Sequence, residues 1–348
     1  MTYAIGVLGA TGQVGREFLR ILEEGDRPDL PVGNLRLFAS SRSAGKRISV
    51  RGQQYQVEEA RPEPRLFEGL DFVISAIGDT EAKTYAPIVA QAGALDVDKS
   101  NAWRMDPNVP LVVPEVNPEA AREHHGIIAG PNCSTTQMVV ALWPIHRVNR
   151  IKRIIVDTYQ AVSGTGWRAV DELHAQESDP NAPRQVYPHP IHRNVFPEIG
   201  GLKGDGLYSE ERKMIDETRK IFSSPDLAIS ATCVRVPVEV GHSEAIHLEL
   251  GRPMSAEEAR EILSQAPGIV VMDEPREAAY PTPLEVAGKD PVYVGRIRQD
   301  PSHERGLVLW VVGDNLRKGA ALNAIQVFEL VARNGWMNRA RRQEVQAA

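Results

Sequence analysis

Residues Pro131-Asn132-Cys133-Ser134-Thr135-Thr136 set a thiol between a short apolar strand, Gly126 to Ala129, and an apolar helix starting near Ser134. A sulfur there meets the positive end of the helix and backbone N–H groups lacking intrahelical partners, and both favour the thiolate. A second segment with chemical character, Gly9-Ala10-Thr11-Gly12-Gln13-Val14-Gly15, follows the apolar run Tyr3 to Leu8. Its first glycine permits a tight turn, its second lets backbone approach a pyrophosphate, and its third lets helix pack on strand. The spacing is a variant of the usual dinucleotide fingerprint. A nucleotide-binding turn and an activated cysteine in one chain point to covalent redox chemistry on an aldehyde.

The end of the second strand reads out the nucleotide. An acidic residue there commonly binds the ribose hydroxyls of NAD, whereas this chain has Ser40-Ser41-Arg42-Ser43. A guanidinium flanked by hydroxyls suits a 2′-phosphate, which favours NADP(H). Arg235 interrupts the apolar strand Cys233 to Val238, where an unpaired guanidinium is costly, so an anion must face it. That anion is either a substrate group or an internal carboxylate such as Glu239. Glu210 and Lys213 lie three apart on a helix and by spacing alone form a surface ion pair. Among nine histidines, His242 stands out only by its position between two strands. Cys233, inside an alternating strand, reads as an inert core thiol.

These groups need elements to hold them. Strands at Tyr3–Leu8, Leu35–Ala39, Asp71–Ile77 and Ala94–Val97 alternate with helices at Gly15–Glu24 and Ala82–Ala92. Such alternation predicts an α/β, doubly wound, Rossmann-like dinucleotide-binding domain over residues 1–133. After Cys133 the pattern changes to a second domain over 134–317, of α+β type with a mixed, largely antiparallel sheet. Helices are expected at Ser134–His146 and Ser209–Phe222, with an ordered Pro-rich loop from Asp179 to Pro197. Strands are expected at Arg153–Gln160, Val292–Gln299 and Gly306–Val312. Leu227–Val238 and Ala245–Leu250 read as antiparallel strands joined through Gly241-His242-Ser243. A last helix, within 318–348, returns to the first domain.

At 348 residues, with 42% hydrophobic and 25% charged content, the chain reads as a soluble two-domain enzyme. A net charge of −6 without a basic block argues against nucleic acid, and no stretch is long enough to span a bilayer. The apolar N-terminus lacks a basic leader and is broken by Gly6 and Gly9, against a signal peptide. Two cysteines form neither a disulfide framework nor a metal site, which fits a reducing cytoplasm.

Over nearly its whole length the chain resembles the aspartate-β-semialdehyde dehydrogenases. The resemblance rests on Gly9-Ala10-Thr11-Gly12, Ser41-Arg42-Ser43-Ala44-Gly45, Pro131-Asn132-Cys133-Ser134-Thr135 and Thr158-Tyr159-Gln160-Ala161-Val162-Ser163-Gly164. It extends through Ser230-Ala231-Thr232-Cys233-Val234-Arg235-Val236-Pro237 and Asn315-Leu316-Arg317-Lys318-Gly319-Ala320. It implies NADPH-dependent reductive dephosphorylation of aspartyl-4-phosphate to the semialdehyde, on the way to lysine, threonine and methionine. It also implies Cys133 as nucleophile, His242 as acid/base, and Gln160 as the group orienting the carbonyl. Arg235 would grip the substrate carboxylate and Glu210 the amine, with Lys213, Arg104 and Asn132 on phosphate. Gly9, Thr11, Gly12, Gln13, Val14, Ser40, Arg42, Ser43, Ser163, Gly164 and Asn315 would contact the cofactor. No metal is implied; residues 134–317 would be the catalytic and dimerisation domain, since the family forms homodimers, sometimes paired into tetramers. The chain departs from the family at Gly78-Asp79-Thr80 and at Asp98-Lys99-Ser100-Asn101. The alternatives are an N-acetyl-γ-glutamyl-phosphate reductase, disfavoured by Glu210 facing an acetylated amine, and a non-catalytic nucleotide-binding relative.

Overall fold

The computed structural model describes residues 2–25 and 27–337. The chain forms two compact units, one of residues up to Pro131 together with those from Ala320, the other Asn132–Gly319. Asn132 and Cys133 therefore go with the second unit, and the part of the returning segment at 338–348 lies outside the described residues.

In the first unit β1 (Tyr3–Leu8), α1 (Gln13–Glu24) and β2 (Val32–Ala39) open the chain. Next come β3 (Arg47–Val50), β4 (Gln53–Glu59), β5 (Phe72–Ser75), α2 (Asp79–Gln91), β6 (Leu95–Asp98) and β7 (Ile127–Ala129). The sheet order is β3-β4-β2-β1-β5-β6-β7. It is parallel except for the β3–β4 pair. Strand order reverses at β1, between β2 and β5, and such a switch point opens a crevice at the carboxyl ends of the strands. The loop Gly9–Gly12 lies there. The β3–β4 hairpin was not expected from the sequence. Its strands are polar, and its two-residue turn has Arg51 at φ 50° and Gly52 at φ 75°, the pattern of a type I′ turn. The final helix supplies Phe328, whose ring lies 4.5 Å from Phe72 and 6.3 Å from Phe18.

The second unit begins with α3 (Cys133–Val148), β8 (Ile151–Gln160), α4 (Trp167–Ser178), α5 (Ser209–Ile221) and β9 (Ala228–Arg235). It continues through β10 (His242–Leu250), α6 (Ala256–Ser264), β11 (Ile269–Val271), α7 (Pro283–Val286), β12 (Val292–Gln299) and β13 (Gly306–Gly313). The helix completing the first unit is α8 (Leu322–Arg333). The second sheet runs β11-β12-β13-β10-β8-β9, with parallel pairs only at its two edges. One expectation is corrected here. β9 and β10 do not form a hairpin, because β8 lies between them, antiparallel to β10 and parallel to β9. Alternation in a sequence fixes the face of each residue but not the strand's partner. Helix α3, buried nearly all round from Ser134 to Leu142, packs on β8, β12 and β13 and against α5 and α6.

Candidate active site

The nucleotide half is built from backbone. Gly9 has φ +89°, and a β-carbon on it would lie 2.3 Å from the Ala76 oxygen. One on Gly15 would lie 2.4 Å from the Gly9 oxygen. No side chain caps α1 at Gly12, so the N–H groups of Gln13 and Val14 at its first turn suit an anion. The Thr11 hydroxyl donates to Ser43 Oγ at 3.4 Å, bringing the Ser40–Ser43 turn beside the glycine loop. Arg42 is exposed on that turn and has no ion pair among the described residues. Ser40 is likewise exposed. The family departures are absorbed structurally. Asp79 accepts the Asn101 N–H at 2.9 Å, and Lys99 Nζ donates to the Pro131 carbonyl at 3.1 Å. Arg104 is buried and donates to the Gly130 and Lys99 carbonyls at 3.0 and 2.9 Å.

In the second unit, Cys133 is the first residue of α3 rather than the one before it. Asn132 is the N-cap, its Oδ1 accepting the N–H of Ser134 and of Thr135 at 3.1 and 3.2 Å. Helix α5 fixes that cap twice. Glu210 accepts Asn132 Nδ2 at 2.8 Å, and Glu217, two turns further on, accepts Asn132 N at 2.7 Å. Glu217 escaped the sequence reading, although its seven-residue spacing from Glu210 marks a shared helix face. Glu210 also accepts from Gln160 at 2.9 Å and Lys213 at 3.0 Å. Burial acts to raise the Glu210 pKa, but Lys213 and the hydrogen bonds from Gln160, Asn132 and Lys213 outweigh it and bring it to about 2. The Glu210–Lys213 pair is thus real but is not a surface pair: Glu210 is buried at the centre of a network.

Strand register gathers the remaining groups. Gln160 and Arg235 are paired partners at the carboxyl ends of β8 and β9, and His242 opens β10. His242 is fully buried, not exposed at a turn. Its Nε2 lies 3.3 Å from the Cys133 sulfur, while its Nδ1 accepts the Ala161 N–H at 3.0 Å. A neutral ring with Nδ1 so occupied carries its proton on Nε2 and donates towards sulfur. Burial, with the charge of Arg235 second and Glu210 opposing, lowers the imidazole to about 3, so the ring is neutral at physiological pH.

Arg235 is 4% exposed. It donates to the Ala161 carbonyl at 2.5 Å, its Nε has no hydrogen-bond partner, and the Tyr187 ring covers it at 6.0 Å. The internal carboxylate considered for it, Glu239, instead pairs with His174 at 3.2 Å. Arg235 therefore makes no ion pair among the described residues, the state of a cation awaiting an anion. A β-carbon on Gly164 would sit 3.3 Å from both Arg235 and His242, so glycine there lets the loop close over them. Asn315 ties Ser163 to the residue before His242, bonding Ser163 Oγ at 3.0 Å and Gly241 N at 2.9 Å. Tyr187 gave no sequence signal, because it lies in an aperiodic loop. That loop is held by Glu172, which accepts the N–H of Gln185 and of Val186 at 2.6 Å each. Cys233, 0% exposed, has its thiol pKa pushed up by burial.

A dinucleotide turn, a cysteine beside a neutral imidazole and a guanidinium with no ion pair among the described residues are the parts that thiol chemistry on an aldehyde needs. The family matches give the class as semialdehyde dehydrogenase. Residues 4–124 match the family "Semialdehyde dehydrogenase, NAD binding domain", and residues 142–318 match "Semialdehyde dehydrogenase, dimerisation domain". An aspartate-semialdehyde dehydrogenase of Aquifex aeolicus is 48% identical over 96% of this chain and 99% of its own length. Aspartate semialdehyde dehydrogenase II of Vibrio cholerae, in a crystal structure complexed with ASA, is 41% identical with a TM-score of 0.91, covering 96% of this chain and 99% of that one. The enzyme of Candida albicans, crystallised with NADP, is 28% identical with a TM-score of 0.75, covering 96% and 99%. The chain belongs to the aspartate-semialdehyde dehydrogenase family. No described helix is long and apolar enough to cross a membrane.

Proposed function

We propose that the chain reduces L-aspartyl-4-phosphate to L-aspartate 4-semialdehyde and phosphate with NADPH, through a thioester on Cys133. The observation carrying this reading is the Cys133–His242 contact of 3.3 Å beside a buried guanidinium that has no counter-ion among the described residues. The sulfur attacks the acyl carbon, and the carbon–oxygen bond to phosphate breaks. The departing phosphate takes the one proton the overall reaction consumes. Bound NADPH supplies the hydride that reduces the thioester carbonyl. The resulting oxyanion collapses, the carbon–sulfur bond breaks, and the aldehyde leaves Cys133 as thiolate. His242 Nε2–H stabilises negative charge first on sulfur and then on oxygen, without taking a proton in the resting arrangement. Of the acid and base roles that the resemblance implies for His242, the Ala161 bond favours that of donor.

Arg235 would bind the substrate α-carboxylate, Glu210 its amine, and Lys213 and Arg104 its phosphate. Asn132, with its oxygen used as the cap, would act mainly by fixing Cys133. Gln160 would orient the carbonyl. The cofactor's pyrophosphate would lie on Gly9–Val14, its 2′-phosphate on Ser40, Arg42 and Ser43, and its nicotinamide near Ser163, Gly164 and Asn315. NADP over NAD is supported by Arg42 without an ion pair and by the NADP bound to the Candida relative. The enzyme would act in the cytoplasm as a homodimer, or as two dimers paired into a tetramer; association is supported by the family's dimerisation domain and by aromatic side chains on one sheet face, Tyr159 and Trp310, 5.7 Å apart.

The decisive assay measures phosphate-dependent NADP⁺ reduction with L-aspartate 4-semialdehyde against N-acetylglutamate semialdehyde, in wild type and Cys133→Ala. Activity confined to the first substrate and abolished in the variant is the expected result. Equal rates with the acetylated substrate, or turnover surviving without the thiol, would refute the reading.

A further inference from the structure

Behind the reactive pair lies a group the chemistry does not use. Glu244 is two residues after His242 on β10, on the same face of the strand, and 0% exposed. Neither of its carboxyl oxygens has a hydrogen-bond partner, and no cation pairs with it among the described residues. Gln137, one helical turn after Cys133 on α3, has an equally buried and unpartnered Oε1. The Gln137 Nε2 donates to the backbone carbonyl of His242 at 3.2 Å. Gly313, the β13 residue opposite His242, lacks a side chain where Gln137 passes: a β-carbon there would lie 2.9 Å from Gln137 Oε1.

The Gln137 side chain reaches the Glu244 carboxyl, and acceptors that meet without a donor between them are resolved by one proton. An ionised Glu244 would be a bare charge in the core, whereas a carboxylic acid has an O–H to give. Burial pushes the Glu244 pKa well up, and only the adjacent Gln137 side chain opposes this. The titratable group that senses it from β9 is the Cys233 thiol, itself neutral.

We propose, resting on the reading of Cys133 and His242 above, that Glu244 is a positioning residue held as an uncharged acid whose O–H donates to Gln137 Oε1. Helix α3 and strand β10 then form a two-rung ladder. The first rung is Cys133–His242, the reactive contact. The second is Gln137–Glu244, which fixes the helix against the strand and so sets the sulfur–imidazole separation. Gln137 completes the connection by holding the His242 carbonyl.

The test uses the full-length enzyme and Glu244→Gln, Glu244→Leu and Gln137→Leu variants. Infrared difference spectra of wild type against Glu244→Gln at neutral pH are expected to contain the C=O stretch of a protonated carboxylic acid. Carboxylate bands in its place overturn the proposal. Glu244→Gln keeps an N–H donor for Gln137 and is expected to hold kcat within about threefold. Glu244→Leu and Gln137→Leu each lower kcat about tenfold with KM unchanged, the scale of one buried hydrogen bond. They also shift the pH profile of Cys133 alkylation by iodoacetamide upward. Combining Glu244→Leu with Gln137→Leu adds little further loss, since both break one rung. A Leu variant with wild-type kcat and alkylation profile overturns the proposal. Should the Leu variants fold poorly, the infrared comparison still decides it. Loss of alkylation at Cys133 in wild type would count against the covalent mechanism, and the infrared result stands independent of that.

Discussion

Replacing Arg235 by methionine separates what the guanidinium does for the fold from what it does for substrate. The side chain is 4% exposed, bonds one carbonyl, and has an orphaned Nε and no carboxylate partner among the described residues. Replacing buried ionic groups with apolar ones of like volume is often neutral or stabilising, by about 1–4 kcal/mol. Losing the donor to the Ala161 carbonyl returns about 1 kcal/mol. The net expectation is a change between about zero and +3 kcal/mol. At about 2–4 °C per kcal/mol for a domain of this size class, the melting temperature stays level or rises several degrees. Function moves the other way. Two charge-assisted hydrogen bonds to a carboxylate, at about 1.5–3 kcal/mol each, correspond to a fall in kcat/KM of about two to four powers of ten. Scanning calorimetry with and without aspartate semialdehyde, alongside steady-state kinetics, reads both quantities. The wild type should gain stability with ligand, by about 2.7 kcal/mol at a hundredfold excess over Kd, and the variant should not. A variant that melts several degrees lower yet keeps kcat/KM would show that Arg235 is structural and refute the argument.

Three further outcomes are expected. Iodoacetamide should modify Cys133 and spare Cys233, whose thiol is sealed and held protonated by burial; peptide mapping that finds the label on Cys233 contradicts this. Arg42→Ala should weaken NADPH binding by about ten- to a hundredfold, one charge-assisted contact, with NADH little changed, as read by fluorescence titration. Equal losses for both cofactors would mean the 2′-phosphate is bound elsewhere. His242 and Glu210 both have folded pKa values below their unfolded ones, about 3 against 6.5 and about 2 against 4.5. Each therefore stabilises the fold fully above its unfolded pKa and loses that contribution as pH falls through its folded one. Urea melts should show stability declining from about pH 6.5 downward and more steeply below about 4.5, with the upper limb missing in His242→Gln. A pH-independent wild type between 6.5 and 4.5 would contradict the neutral, buried imidazole.

Legibility in the sequence followed the range of the physics involved. Local signals, such as the apolar run before Gly9 and the helix after Cys133, identified the elements and the thiol. Arg235 was legible because a charge inside an apolar strand is costly wherever the strand pairs. The pairing itself was not: β9 and β10 alternate convincingly, yet β8 separates them, and no residue pattern in either strand encodes that neighbour. For the same reason His242 looked like a turn residue and proved to be buried at the start of a strand. The β3–β4 hairpin was missed because its residues are polar and its turn uses Arg51 where Asn or Gly would give the signal. Tyr187 and Glu217 meet the site through contacts between distant segments, and their types, like that of Glu244, are unremarkable in their local context.

Around Cys133 the second unit keeps several groups in states that folding alone would not select. Arg235 has no ion pair among the described residues, His242 is neutral because it is buried, and the Glu244 carboxyl lies in the core with no cation beside it among those residues. Each taken alone is an expense, and a core optimised for stability would replace all three. Together they are consistent. Burial first and the Arg235 charge second keep the imidazole from protonating, so its one N–H stays aimed at sulfur. Substrate carboxylate, on reaching Arg235, would cancel part of that positive field at the moment acyl transfer begins. Binding energy from a part of the substrate that does not react would then be felt at the reacting sulfur. A substrate analogue lacking the carboxylate should accordingly lose kcat as well as affinity. Loss of affinity alone, with kcat intact, would confine Arg235 to uniform binding and break the link to His242.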